Sequence, residues 1–588
     1  MLKILAFLFI FLYLIPFLTG ICCFFPKFRH VCFFGMIYFT SYDKSINLFP
    51  DPLWTGTAFG YAFTAVSFFA LPLLLSMICS FRYKVRFLPP GVFFYFLYCL
   101  ANLISGVNAA FLMPWGFEIC KMFWMYITFI TVFNFLNNSK DISYLFYAVS
   151  FTIAVLFLIG LDQKYRQGGF QIASTFPHQN SLSLYLELFG LLTLGVLMNE
   201  QMNRWLFLFT IFSFSGSVLL IIFTYSRGGL VVYFGGIAIV CALSILFNGF
   251  SLRRLLLMLV GLVVLLCVVG YALPRIILRF TKAPEASKNT RIEFALAAKM
   301  MANEHRLGVG ANNYSVHSAE YWNRVKEHPV EHGGIVETVY LLVAAECGWW
   351  GLAVMLIWFL YYYLSAIISM FALRRMPCSG IVIGIFAGLT CNYWHSTLEW
   401  SLKQTNNFGG LMTIYAITGV IAVNRKNIKA AYRRSLIHEA ERPKKKKRRR
   451  FVPQMPVPPD FPDAPAAEEP ALAGFPGLTD PFALTTPEPA LMPEQSVPEA
   501  TASPEAATTD KPAVPEPAGT LETPRSEEAE TEATVKEATA KPEATALETA
   551  STEAPAMPEP AAEPSGLQPE PPAAAHLPGE SFPPQPPA

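Results

Sequence analysis

Apolar positions along the first 425 residues fall into long unbroken runs, near residues 3–24, 59–79, 91–108, 118–136, 143–160, 182–198, 205–224, 228–248, 255–273, 349–370, 379–395 and 407–424. Each approaches the ~20 residues an α-helix needs to cross the bilayer hydrocarbon. Short polar connections rich in Lys, Arg, Asn, Gly and Pro separate them. The pattern predicts an all-α polytopic membrane protein of about twelve transmembrane helices. A further stretch, "VCFFGMIYFTSY" (31–42), is short for a span and reads as re-entrant or interfacial. The first run resembles a signal peptide but lacks a small-x-small cleavage site, so it reads as an uncleaved first span.

The pattern changes after Arg450. Residues 451–588 are mostly Pro, Ala, Glu and Thr, with 24 acids, 4 bases and few aromatics. Such a segment cannot bury enough apolar surface to offset the entropy of ordering, so it reads as a disordered tail. The first 450 residues carry 40 bases and 18 acids, so the net charge of +2 is a near-cancellation of a basic membrane part and an acidic tail. The organisation expected is a membrane domain over 1–425 with an outer loop at 275–336, a basic juxtamembrane segment over 426–450, and the tail over 451–588. "RPKKKKRRR" (442–450) reads as a stop-transfer flank touching anionic lipid, at about 1 kcal/mol per residue near the surface. Beside twelve spans it does not read as a nuclear signal, and no nucleic-acid partner is expected. The tail is a candidate for binding a cytoplasmic partner.

Lys and Arg in the short connections set the orientation. "SFRYKVRF", "NNSKD", "NEQMNRW", "SLRR", "LRRMP" and "NRKNIKAAYRR" fall on one side, expected to be cytoplasmic together with the tail; "PKFRH" (26–30) argues the other way. The opposite face holds "DQKYRQGGFQIASTFPHQN", "TYSRGG", "HSTLEWSLKQTNN" and the loop of about 60 residues from Arg275 to Val336. Between Arg275 and Glu331 that loop has nine basic and six acidic residues, which suits either a solvated surface or a site for an anionic ligand. The 11 cysteines lie mainly in apolar runs and form no metal-spaced CxxC pair and no disulfide framework. No metal and no cofactor are expected.

Three helix starts face outward. "NTRIEFALAAKMM" places Thr290 as N-cap, Glu293 as the partner of a capping box, and Arg291 in the first helical position. "TYSRGG" offers Ser226 as cap, then Arg227 and a Gly pair. "STFPHQNSLSLYLELFG" follows Pro177 with His178, then Asn180 or Ser181 as cap, and carries Glu187 inside the span, expected to be protonated or paired and to face the bundle interior. Free N–H groups at a helix start, together with Arg, suit a phosphate. The stretch "HPVEHGGIVETVYLLVAAECG" (328–348) adds His332 and Glu337 at a fourth boundary.

The order "TFPHQNSLSLYLEL", "TYSRGG", "TRIEFALAAKMM…HRLGVGANNY" and "ETVYLLVAAECGWWGL" resembles the O-antigen ligase and O-antigen polymerase superfamily. The resemblance covers most of residues 160–370, with the multi-span frame agreeing from about 60 to 425. It implies an inverting glycosyl transfer at the periplasmic face of the bacterial inner membrane. The donor is a glycan on undecaprenyl diphosphate, the acceptor a lipid or glycan hydroxyl, and no metal is needed. Arg227 and Arg291 match family arginines thought to bind the diphosphate, with His178 and Asn180 as further binding candidates. The chain departs from the family where a His-Asn pair usually precedes Glu-x-Gly-x-x-Gly: those positions hold Glu337 and Thr338. A helix starting after Gly333–Gly334 would put Glu337, Tyr340, Leu341 and Ala344 on one face, with Glu337 as general base and His332 as the other candidate. The motifs leave ligase, polymerase and protein O-glycosyltransferase unseparated. A polytopic lipid-linked glycan transporter is the alternative of another class, although the two halves show no repeated motif. A scaffold presenting the acidic tail is a third.

Overall fold

The computed structural model of the chain describes residues 2–80, 83–138, 142–281, 285–325 and 334–441. The tail at 451–588, the basic run at 442–450, and His332 lie outside the described residues. Helices make up most of the described residues, with one antiparallel hairpin of β1 (Ser45–Leu48) and β2 (Tyr61–Thr64).

In chain order the helices are α1 (Leu2–Phe9), α2 (Ile15–Phe24), α3 (Phe28–Phe39), α4 (Ala65–Ile78), α5 (Val92–Ser105), α6 (Leu112–Asn138), α7 (Ser143–Leu161) and α8 (Gln179–Asn199). They continue as α9 (Arg204–Thr224), α10 (Arg227–Asn248), α11 (Leu252–Thr281), α12 (Glu285–Glu304), α13 (Tyr314–Asn323), α14 (Val339–Ala372), α15 (Ser379–His395) and α16 (Thr405–Glu441). Among the described residues eight helical segments are long and apolar enough to cross a membrane: Lys3–Phe24, Leu112–Asn138, Ser143–Arg166, Gln179–Asn199, Arg204–Thr224, Arg227–Asn248, Val339–Ala372 and Thr405–Ile437. The other four apolar runs of the sequence also contain helices, although the run at 59–79 opens with β2 before α4. α4 and α5 have only 14 residues each and α15 has 17, while the run at 255–273 lies within α11. The short run at 31–42 forms most of α3, where the out-of-pattern Arg29 is buried and donates to the carbonyls of Cys22 (3.0 Å) and Ser76 (3.2 Å).

α8 is the axis of the bundle. All of Ser181–Met198 is buried, so its apolar residues run around the whole helix and not along a stripe. α15 packs against it through Gly380, Gly384 and Gly388, four residues apart. A Cβ on Gly384 would lie 2.7 Å from the Leu191 carbonyl oxygen, and one on Gly195 of α8 would lie 2.3 Å from that of Gly380. Small residues at this spacing let two helix backbones meet closely within a membrane. The approach brings the end of α15, His395, beside Glu187 of α8.

The outer segment corrects two expectations. α12 begins at Glu285, so Thr290 and Arg291 lie inside the helix and not at its start. Glu293 takes the Trp322 indole N–H at 2.9 Å and so has a tertiary partner on α13. α14 begins at Val339, after an extended approach in which Val336 is buried with Phe294 and Trp322. Glu337 therefore precedes the helix and does not share a helical face with Tyr340 and Ala344. α14 is broken at Gly348 (φ 76°, ψ 169°). The break removes internal partners from the carbonyls of Ala345 and Glu346, which instead accept the N–H groups of Val309 and Gly310 at 3.0 Å each. Gly308 and Gly348 both have positive φ and lie against backbone; a Cβ on Gly348 would sit 2.1 Å from the Arg306 carbonyl oxygen. Only glycine fits such a crossing. It ties the loop after α12 to the entry of α14.

Candidate active site

At the end of the bundle where α8, α10, α14 and α16 begin and α15 finishes, a cavity of about 830 Å³ opens. Its lining includes His178, Asn180, Arg227, Arg291, Glu337 and Glu399. The structure thus brings together five of the six residues singled out by sequence; the sixth, His332, lies outside the described residues. The size suits a ligand-binding site.

The turn between α9 and α10 positions Arg227. Tyr225 adopts the left-handed conformation (φ 47°, ψ 26°) and reverses the chain while its ring stacks on Phe170 at 5.3 Å. Ser226 then caps α10, its Oγ accepting the Gly229 N–H at 3.1 Å. Arg227 is the first residue of that helix, as the sequence suggested. Among the described residues no carboxylate or hydrogen-bond acceptor engages its half-buried guanidinium. A cation held without a counter-charge beside the first-turn N–H groups of a helix is an arrangement that favours an anion.

α8 starts differently from the expectation. His178, not Asn180 or Ser181, is its cap, with Nδ1 accepting the Asn180 N–H at 3.3 Å. Its extended backbone (φ −147°, ψ 148°) suits that position. Burial, helped by the nearby Arg291 charge, pushes the His178 imidazole below its ordinary pKa and keeps it neutral. Asn180 is freed from capping, and its side-chain amide donates to Glu399.

Arg291 reaches the cavity from the second turn of α12. Its Nε pairs with Glu337 and its Nη2 lies 3.4 Å from Glu399. Burial raises the pKa of Glu337, and Arg291 opposes the rise. Glu399 is more deeply buried and its carboxyl is pushed up to about 7, with Arg291 and His395 pulling it down and Glu337 adding to the rise. The site thus holds two carboxylates around one guanidinium, next to a second guanidinium with none.

Residues 209–356 match the family model described as O-antigen ligase. That match, over about a quarter of the chain, supports the resemblance to the O-antigen ligase superfamily. It runs from α9 into α14 and so includes Arg227, Arg291 and Glu337, while His178, Asn180 and Glu399 fall outside it. No curated protein matches the chain. The O-antigen ligase match supports a ligase- or polymerase-type membrane glycosyltransferase in general terms.

Sequence reasoning gave no role to four charged groups beside the cavity, of which Lys121 lines it. Glu118 and Lys121 of α6 pair at 2.6 Å, Lys403 lies 3.5 Å from Glu118, and Lys403 also pairs with Glu346 of α14. All are at least nine-tenths buried. Two carboxylates and two ammonium groups balance, which is how buried charges are tolerated. Thr57 donates to Glu118 at 2.9 Å and the Asn312 N–H donates to Glu346 at 3.0 Å, so the quartet joins the hairpin, α6, α14 and the loop after α12. Charges inside apolar runs were the available signal. Among the described residues no group of three or more His, Cys, Asp or Glu is arranged to hold a metal ion.

Proposed function

We propose that this protein transfers a glycan from undecaprenyl diphosphate to an acceptor hydroxyl at the periplasmic face of the bacterial inner membrane, with inversion and without a metal. The observation that carries the reading is Arg227. It is unpartnered among the described residues, sits at a capped helix start, and shares one cavity with Arg291 and Glu337 inside the O-antigen ligase match. The acceptor hydroxyl attacks the anomeric carbon as the bond to the diphosphate oxygen breaks. Charge builds on the departing diphosphate, and fixed guanidinium and N–H donors stabilise it most in that state. Glu337 takes the acceptor proton. The polar helix starts gather at the cavity end of the bundle, while Arg253 and Arg254 bind carbonyls of Leu197, Glu200, Asn248 and Gly249 at the other end. The positive-inside rule then supports a periplasmic cavity and a cytoplasmic tail.

The test is to incubate purified full-length protein with an undecaprenyl-diphosphate-linked oligosaccharide, candidate acceptors and EDTA, then to identify the glycan product and free undecaprenyl diphosphate. Both should form. Loss of turnover in EDTA, restored by added Mg²⁺ or Mn²⁺, would show that arginines alone do not serve the diphosphate.

Glu399 makes donor binding pH-dependent. Above about 7 its carboxylate competes for Arg291; below, it is protonated and does not. Affinity for undecaprenyl diphosphate should rise by roughly 10-fold as pH falls from 8 to 6. In Glu399→Gln that part of the profile should be flat. Equal slopes in the two proteins, measured by titration calorimetry, would remove Glu399 from the account.

A further inference from the structure

Beside the two arginines, the cavity contains an imidazole that the reaction outlined above does not use. His395, the last residue of α15, lines the cavity and is 1% exposed. Its Nδ1 lies 2.6 Å from Oε1 of Glu187, itself fully buried on α8. No hydrogen bond among the described residues uses Nε2. The Nε2–Cδ2 edge faces the first turn of α10: a Cβ built on Gly228 would lie 3.1 Å from Nε2 and 3.2 Å from Cδ2.

The protonation of this pair follows from its burial. An uncompensated charge sealed from water is strongly unfavourable, so the pair is held net neutral. Two arrangements satisfy that condition without stranding an acid O–H on Glu187 Oε2, which has no hydrogen-bond partner among the described residues. In one, Glu187 is a carboxylate and His395 an imidazolium. In the other, Glu187 is a carboxylic acid donating to Nδ1 of a neutral imidazole. Nε2 carries a hydrogen in both. The pair therefore presents an N–H donor beside Gly228, whichever atom holds the shared proton. The first-turn N–H groups of Arg227 and Gly228 are ones that an α-helix leaves without internal acceptors. These donors converge with the unpartnered Arg227 guanidinium and, across the cavity, Arg291. Glu399 is the other charged group near His395.

We infer that His395, oriented by Glu187, is a third side-chain ligand of the lipid diphosphate, donating from Nε2 to a phosphate oxygen held at the start of α10. The inference rests on the proposed diphosphate-dependent reaction and assigns to it two residues outside the O-antigen ligase match. It also gives Gly228 a purpose. A side chain there would fill the gap between the imidazole and the helix start where the phosphate oxygen would lie.

The probe is undecaprenyl diphosphate, the product released in the proposed reaction, titrated into full-length protein in lipid nanodiscs. Glu187→Leu combined with His395→Phe removes both polar groups together, so no unpaired carboxylate remains in the bundle. This paired variant should bind at least about 10-fold more weakly than the unaltered protein, as expected for loss of a hydrogen bond to a charged group. Gly228→Ala provides a second variant: Ala favours the helix, its Cβ asks the His395 ring to give by only a few tenths of an ångström, and it should also weaken binding. Unchanged affinity in the paired variant overturns the assignment of His395. If that variant does not fold, unchanged affinity in Gly228→Ala overturns it. Failure of the unaltered protein to bind undecaprenyl diphosphate would instead remove the diphosphate reading itself.

Discussion

Arg227→Lys and Arg291→Lys should each lower turnover by about 10²–10³-fold, the scale of losing one preorganised donor to a transition-state anion. Lysine keeps the positive charge, so a site that needs only a basic potential would tolerate it. The planar guanidinium fork, which grips two oxygens of one phosphate, would be lost. Arg227 should show the cleaner effect, because no protein group among the described residues competes for it. At Arg291, lysine would have to replace a guanidinium spread between Glu337 and Glu399. Some of that loss should appear in donor affinity as well as in turnover. Initial rates at saturating and subsaturating lipid-linked donor separate the two. Near-normal turnover in either lysine variant would reduce its arginine to a general charge.

The helices were legible because length and hydropathy determine what can cross a bilayer, and each of the twelve apolar runs contains a helix, although the run at 59–79 opens with β2. The start of α10 was legible too. Ser-Arg-Gly-Gly is a local signal, and the cap it encodes is made within four residues. The start of α12 was misread for the converse reason. Thr290 and Glu293 satisfy the capping pattern locally, but the helix continues upstream to Glu285 and Glu293 finds its partner 29 residues away. His178 was expected beside the site, and its capping role was assigned to its neighbours. Nothing in a one-dimensional pattern says which of several polar residues has the required extended backbone.

Glu399 and His395 were missed as site residues although their segment was placed on the outer face. Their partners, Asn180 and Glu187, are 219 and 208 positions away in the chain. One sequence signal could have narrowed the search. Glycines at 380, 384 and 388 mark one close-packing face of α15, and Glu187, an acid inside an apolar span, called for a partner or a proton. His395, at the end of that glycine-faced helix, was within reach.

Glu337→Gln should lower turnover by about 10²–10⁴-fold, the usual contribution of a positioned general base, while donor binding persists or strengthens. The structure supplies the reason for both halves. In the absence of donor, Glu337 pairs with Arg291, which opposes the rise in pKa that burial imposes. A diphosphate arriving at Arg291 competes for that guanidinium. As Arg291 turns to the phosphate, Glu337 loses its counter-charge and becomes a stronger base in a partly desolvated setting. On the proposed mechanism the donor thereby prepares the residue that would activate the acceptor, which predicts ordered binding with the donor first. Glutamine retains the shape but cannot take a proton, and it leaves Arg291 free for phosphate. His332→Gln should cost much less on this account. The decisive comparison is turnover and undecaprenyl diphosphate affinity in the two variants side by side. An active Glu337→Gln with an inactive His332→Gln would transfer the role of base to His332. Activity in both would leave Glu337 as an ion-pair partner that only holds Arg291 in place.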